Sequence, residues 1–292
     1  MPWRKQRMRR AITLLTAGSC TGALLIALAP TASASASASG MQSYVSPGDY
    51  VFTVPAGLTS ITVSAVGAAG QSTHDGEEGV TAPGGAPGEA QGTFQVTPGK
   101  RFYIHVPATS GVAYGTHGTG GGAAYIRTST STTFTGNPAT DPRIVVAGGG
   151  GGAAVQWDFG YGSGGYAGTT GAAGATGYAI EDYLDPGRGA SGATQTSGGA
   201  GGASCHGQAP GGSGTAGFGG KTGMPGSSFG GGGGGDGWFG GGAGGQADQT
   251  MWYFCGAAGG GGGGSNYISS SATNRSSSHI STLGPRVLIK WS

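Results

Sequence analysis

The chain has 292 residues, of which 70 are glycine and only 26 are charged. Glycine at about 24% is more than three times the ~7% of ordinary proteins. That content excludes a helical bundle, because each interior glycine costs a helix roughly 0.5–1 kcal/mol against alanine. It speaks against a doubly wound α/β enzyme, which needs long helix-forming stretches, and without an every-third-residue glycine period collagen is excluded too.

The N-terminus reads as a secretory signal. Arg4, Lys5, Arg7, Arg9 and Arg10 form a basic start, an apolar run follows from Ala11 to Ala29, and the Ala32–Ala38 tract of alternating alanine and serine offers cleavage sites. Residues 1–38 are expected to be removed, leaving a single domain over 39–292 that is secreted or held at the cell surface. An uncleaved anchor is the alternative, since the run approaches the length of a membrane helix, and it is the one route to a membrane. Removal leaves nine basic and twelve acidic residues, a net charge of −3. Nucleic acid is then not expected as a partner, because phosphate binding needs a clustered basic surface.

Strand patterns come next. Tyr50–Val54 is a short apolar run that ends at the turn residues Pro55-Ala56-Gly57. Ser60–Val66 alternates, so Ile61, Val63 and Ala65 face one side. Gly92–Val96 meets Thr97-Pro98-Gly99, and Phe102–Val106 behind it completes a predicted hairpin. Arg143–Ala147 and Pro285–Trp291 complete an all-β strand frame over 44–147 and 283–291. Tyr178–Leu184 is the one short helix candidate.

Between these lies a glycine-rich insert, residues 148–265, with pure runs at 148–152, 230–235 and 259–264. Glycine and serine usually mean a disordered linker. Here the insert carries many aromatics and two cysteines, and it lies between strands of one frame. The ordered alternative is an array of packed polyglycine-II helices. Such helices have no internal hydrogen bonds, and glycine lets them approach closely and bond laterally, so that buried N–H and C=O groups find partners.

Three cysteines occur, and Cys20 leaves with the signal. Cys205 and Cys255 are an even pair in an exported chain and are expected to form a disulfide. A metal site with His206 is the competing reading, and it lacks a fourth ligand.

These residues resemble a known family. Phe52-Thr53-Val54-Pro55 is followed by Val63-Ser64-Ala65-Val66-Gly67-Ala68-Ala69-Gly70, then by Pro142–Gly152, Ser228-Phe229-Gly230 with its glycine run, and Gly259–Ile268. In this order they resemble the glycine-rich ligand-binding domain of the anaplastic lymphoma kinase and leukocyte tyrosine kinase receptors, over about residues 45–291. The resemblance implies a tumour-necrosis-factor-like, jelly-roll β-sandwich joined to polyglycine helices. It also implies binding of a protein partner without catalysis. Asp158-Phe159-Gly160 spells a kinase triplet, but no His-Arg-Asp loop and no Val-Ala-Ile-Lys strand accompanies it.

Chemistry motifs are sparse. Gly220-Lys221-Thr222 looks like the end of a phosphate loop, but Thr215 stands where its first glycine belongs. Gly231–Phe239 fits one copy of a calcium-roll repeat with Asp236 as the acid, where such rolls need tandem copies. Glu181, Asp182 and Asp185 form the one acidic cluster, beside an aromatic stretch that contains Asp158. A secreted glycosidase would use two such carboxylates; solvated acids on a surface helix are the plainer reading. His105 falls in a strand and is expected to be packed. No cofactor, metal or catalytic residue is assigned. Ring stacking on sugars is a role open to Trp157, Phe159, Tyr161, Trp238, Phe239, Trp252 and Tyr253; the plainer reading is that most of them shield the glycine backbone and supply core volume, with a few exposed. The reading is an exported, non-enzymatic surface or binding module whose partner is an extracellular protein or polysaccharide. A receptor-type ligand-binding domain and a secreted carbohydrate hydrolase are its alternatives.

Overall fold

The computed structural model describes residues 39–74, 81–114, 117–156, 160–178, 185–205, 208–222, 228–250, 253–280 and 283–292. The fold is all-β. Ten strands build two antiparallel sheets: β1 (Gly40–Tyr44), β2 (Gly48–Thr53), β3 (Ser60–Val66), β4 (Gly88–Gln95), β5 (Arg101–Val106), β6 (Ala124–Arg127), β7 (Arg143–Ala147), β8 (Tyr267–Ile268), β9 (Thr273–His279) and β10 (Arg286–Trp291). One sheet has the order β1-β10-β3-β4-β9 and the other β8-β7-β6-β5-β2. Alternation decides which faces meet. Ile61, Val63 and Ala65 are buried while Ser60, Thr62 and Ser64 are half-exposed, as their spacing predicts; Val66 at the strand end is buried too. With Phe52, Phe102, Ile104, Ile126, Val145 and Ile289 they form the sandwich core.

The C-terminal strand closes its sheet by inserting between β1 and β3. Four strands lie outside the clearest sequence patterns. β1 and β9 are edge strands of largely exposed residues, β8 is two residues long, and β6 has four. The predicted hairpin at Thr97-Pro98-Gly99 is corrected. β4 pairs with β3 and β9, whereas β5 pairs with β2 and β6. The turn, with Gly99 at φ 79°, carries the chain from one sheet to the other. The same local turn chemistry serves a hairpin and a sheet crossing, and only burial of Phe94 and Phe102 in the shared core separates the two. The candidate helix beyond Tyr178 lies outside the described residues.

The glycine segments form a body held by lateral backbone hydrogen bonds. Gly149 N–H donates to Asp236 O, Gly150 N–H to Ala68 O, Gly151 N–H to Gly165 O and Gly152 N–H to Gly233 O, all at 2.7–3.0 Å. Three successive residues thus address three different neighbours, and the fourth returns to the first. This is the period of an extended three-fold helix. The body draws in segments ahead of the 148–265 insert as well: Gly67–Gln71, Gly84–Gly88 and Gly118–Gly122 all bond into it. Asn266 ties it to the sandwich. Its buried side chain accepts from Gly148 N–H and donates to Glu89 O and Ser278 O.

Cys205 and Cys255 form a disulfide with Cα atoms 6.2 Å apart, buried with Ala154, Ala247 and Ala258. The bridge spans 50 residues, and chain entropy gives such a loop about 4 kcal/mol. Replacing both cysteines by serine is expected to lower stability by about that amount, read from denaturant unfolding curves fitted with their own m-value, which should rise as the unfolded chain expands. A change under about 1 kcal/mol would show that residual structure already confines the loop in the unfolded chain.

Candidate binding site

The aromatic residues expected to meet a ligand divide sharply. Trp238 is 1% exposed and is corrected to a core residue. Its ring stacks on Tyr267 at a centroid distance of 3.7 Å and lies against the Arg143 guanidinium at 4.8 Å. Glycine supplies no side-chain volume, so the largest ring in the segment fills that space. Phe239 is half-buried beside it and covers Gly136, where a Cβ would come within 2.2 Å of the ring. Tyr161 remains exposed, in the short pairing of Gly160–Gly162 with Ala154–Gln156. Tyr253 lies in a two-residue strand against Gln249 and Thr250. Trp157, Phe159 and Trp252 lie outside the described residues.

Three exposed rings stand where sequence reasoning sets no site: Tyr166, which stacks on His279 at 4.4 Å, Tyr178 and Phe218. Tyr178 is next to Tyr161, its N–H donating to Tyr161 O at 3.1 Å. Phe218 is exposed and continues a row of rings: His105 stacks on Tyr125 at 4.9 Å, Tyr125 meets Phe134 edge-on at 5.3 Å, and Phe134 meets Phe218 at 6.0 Å. His105 is also bonded to Asp49 at 3.2 Å. Of the acidic cluster, Asp185 pairs with Arg188 at the surface; Glu181, Asp182 and Asp158 lie outside the described residues. Among the described residues no group of three metal-ligating side chains comes together.

Phe218 lines an open groove of about 940 Å³. One wall is His117–Gly120, the other Phe218–Thr222, and the floor is Gly233, Gly234 and Asp236. Two motifs that look isolated in the sequence therefore meet here. Lys221 and Thr222 come from the incomplete phosphate loop, and Asp236 from the single calcium-type repeat. Neither motif keeps its usual chemistry. The Asp236 carboxylate accepts Gly219 N–H at 2.8 Å. Burial pushes this carboxyl above the ordinary range, against the lowering effects of the Gly219 hydrogen bond, His105 and Arg143. Most of the groove is backbone, which no side-chain pattern announces. The available signal is the three-residue bonding period applied to each glycine run.

Directly behind the floor, Arg143 fixes the chain beyond Asp236. Its guanidinium holds Asp141 in two bonds of 2.9 Å and donates to Gly237 O at 2.8 Å and Trp238 O at 3.1 Å. Both side chains are fully buried, and Phe134 lies over the guanidinium at 4.1 Å. Burial alone would raise the Asp141 carboxyl; the hydrogen bonds and charge of Arg143 outweigh it and hold it below the usual carboxylate range. No protein-family model matches this chain, and no curated protein matches it.

Proposed function

We propose that the protein is an exported, non-enzymatic glycine-rich module that binds an extracellular protein or polysaccharide. The observation that carries this reading is the open groove of about 940 Å³ at the surface of a hydrogen-bonded glycine body, with the exposed Phe218 in its lining. Lateral bonds along Gly232–Asp236, at Gly118 and at Gly220 hold the groove lining before any partner arrives, so little ordering cost falls on binding. An exposed aromatic beside threonine and lysine side chains offers a ring face together with hydrogen-bonding groups. The secretory signal in residues 1–38 and the buried disulfide agree with an oxidising, extracellular location.

The receptor-type reading is supported by the resemblance of residues 45–291 to the glycine-rich receptor domain. It narrows the partner to a protein, within a tumour-necrosis-factor-like sandwich. The test presents the exported protein to insoluble polysaccharides, cell-wall fractions and culture proteins, and scores both retention and released sugar. Retention without release is expected, weakened about tenfold in Phe218→Ala if that ring is a binding anchor. Release of sugar would assign a hydrolase instead. Absence of retention on every fraction would overturn the binding reading.

A further inference from the structure

The groove has the place and the bonding pattern of a missing helix. The Gly232–Asp236 run shows why. Its N–H groups donate to three neighbours: Gly232 and Gly235 to residues 259–262, Gly233 and Asp236 to residues 118–121, and Gly234 to Gly220. Its carbonyls accept from two: Gly232 and Gly235 from residues 241–244, Gly233 and Asp236 from residues 149–152. A three-fold helix in a hexagonal array has six neighbours, with donor and acceptor directions alternating around it. Successive neighbours here are themselves bonded. Gly121 donates to Gly150, Gly264 to Gly149, Gly262 to Gly242, and Gly220 to Gly241. The ring fails to close at one position, between residues 118–121 and 219–221. The alternation requires an acceptor direction there, and Gly234 C=O is the one carbonyl of the run that receives no hydrogen bond from a described residue.

The walls carry the matching signs. Gly120, on one wall, has neither its N–H nor its C=O bonded to a described residue. On the other wall Gly219 N–H points to the Asp236 carboxylate, which stands where the carbonyl of a sixth helix would be. Asp236 thus closes one end of the slot, beside Phe218. The space from there to His117 and Thr222 is the cavity already described.

We infer that this slot binds an extended glycine-rich peptide from a partner protein, which completes the hexagonal array as its sixth helix. The inference rests on the binding-module reading. The ligand's N–H groups meet Gly234 C=O, and its carbonyl accepts Gly120 N–H. Close backbone approach restricts the ligand to glycine with occasional alanine or serine. At about 3.1 Å per residue, four residues engage roughly 12 Å of slot. The partner is therefore recognised by backbone, as in strand addition to a sheet edge, but in three-fold geometry.

The test titrates ¹⁵N-labelled exported protein with a capped octapeptide of glycine carrying one serine. A same-length peptide of N-methylglycine, which has no N–H to give, is the comparison. Expected are a downfield shift of the Gly120 amide, its slowed solvent exchange, and about tenfold weaker binding of the N-methylated peptide. Thr119→Trp, at an exposed position on the groove wall, fills the slot and should abolish the Gly120 shift. Gly120→Ala is unsuitable because its Cβ would meet Gly234 O at 1.9 Å. An unmoved Gly120 amide at millimolar peptide, equal binding of the N-methylated peptide, or undiminished binding by Thr119→Trp would each overturn the inference. Retention on polysaccharide or culture protein with an unmoved Gly120 overturns this occupant alone and leaves the module reading in place.

Discussion

Gly261→Ala is expected to be among the most damaging single methyl groups in the protein. A Cβ at Gly261 would come within 2.0 Å of Gly233 O and 2.5 Å of Gly233 C. The obstacle is main chain, which cannot swing aside as a side-chain tip can. Relief requires moving one helix of the array, and each helix is bonded to several others. Gly261 N–H donates to Gly152 and its carbonyl accepts from Gly165, so displacement disturbs at least two more segments. Overpacking costs about 1–3 kcal/mol, and each buried bond left unmade adds about 1–3 kcal/mol. A total near 4 kcal/mol corresponds to a fall in melting temperature of about 10 °C for a domain this size. Gly111→Ala is the contrast. Nothing lies within 4 Å of its Cβ position, and reduced freedom of the unfolded chain should raise stability by about 0.4–1 kcal/mol. Thermal unfolding of the two variants decides the matter. Equal effects would mean that the glycines serve chain flexibility rather than close approach of neighbouring backbones.

The contrast between these glycines explains what is legible in the sequence. Ile61, Val63 and Ala65 announce their common face by side-chain alternation, and the strand frame follows from such runs. Cys205 and Cys255 announce their bond by number and compartment. Glycine carries no such sign, so the run 148–152 and the exposed Gly111 look alike in composition. Hydrogen-bond partners distant in sequence separate them, such as Gly150 with Ala68 and Gly149 with Asp236. Trp238 is left unassigned by the sequence for the same reason. Among glycines a tryptophan can be an exposed platform or can fill the space those glycines vacate, and only its burial decides between the two. The groove is out of reach because its recognition groups are the N–H of Gly120 and the C=O of Gly234, backbone groups that side-chain patterns do not mark. β9 escapes notice because all seven of its residues are exposed, which erases the alternation that marks a half-buried strand.

Arg143→Met is expected to cost about 3–5 kcal/mol, because it leaves the buried Asp141 carboxylate with backbone N–H donors but no counter-charge. Gly237 and Trp238 lose a donor at the same stroke. The pH dependence identifies the cause. In the wild type Arg143 holds Asp141 below its unfolded value. The pair's stabilisation is therefore complete above the ordinary carboxylate range and disappears as pH falls through the lowered folded value. Without Arg143, burial dominates and the Asp141 value rises above the unfolded one. The variant is then least stable at neutral pH and recovers as the carboxyl takes up a proton. Asp236 already behaves in that second way, its folded value being raised; the Arg143 charge partly holds it down, so its loss raises Asp236 further and adds to the variant's recovery toward acid. The stability gap between wild type and Arg143→Met should thus narrow steadily as pH is lowered from 7 toward 4. Asp141→Asn combined with Arg143→Met should regain part of the loss, since the buried charge is removed while the amide oxygen can still accept the Thr135 and Gly136 N–H groups. A gap constant with pH would assign the loss to the Gly237 and Trp238 carbonyls. In that case Arg143 holds the groove floor through its hydrogen bonds to backbone, and its charge contributes little.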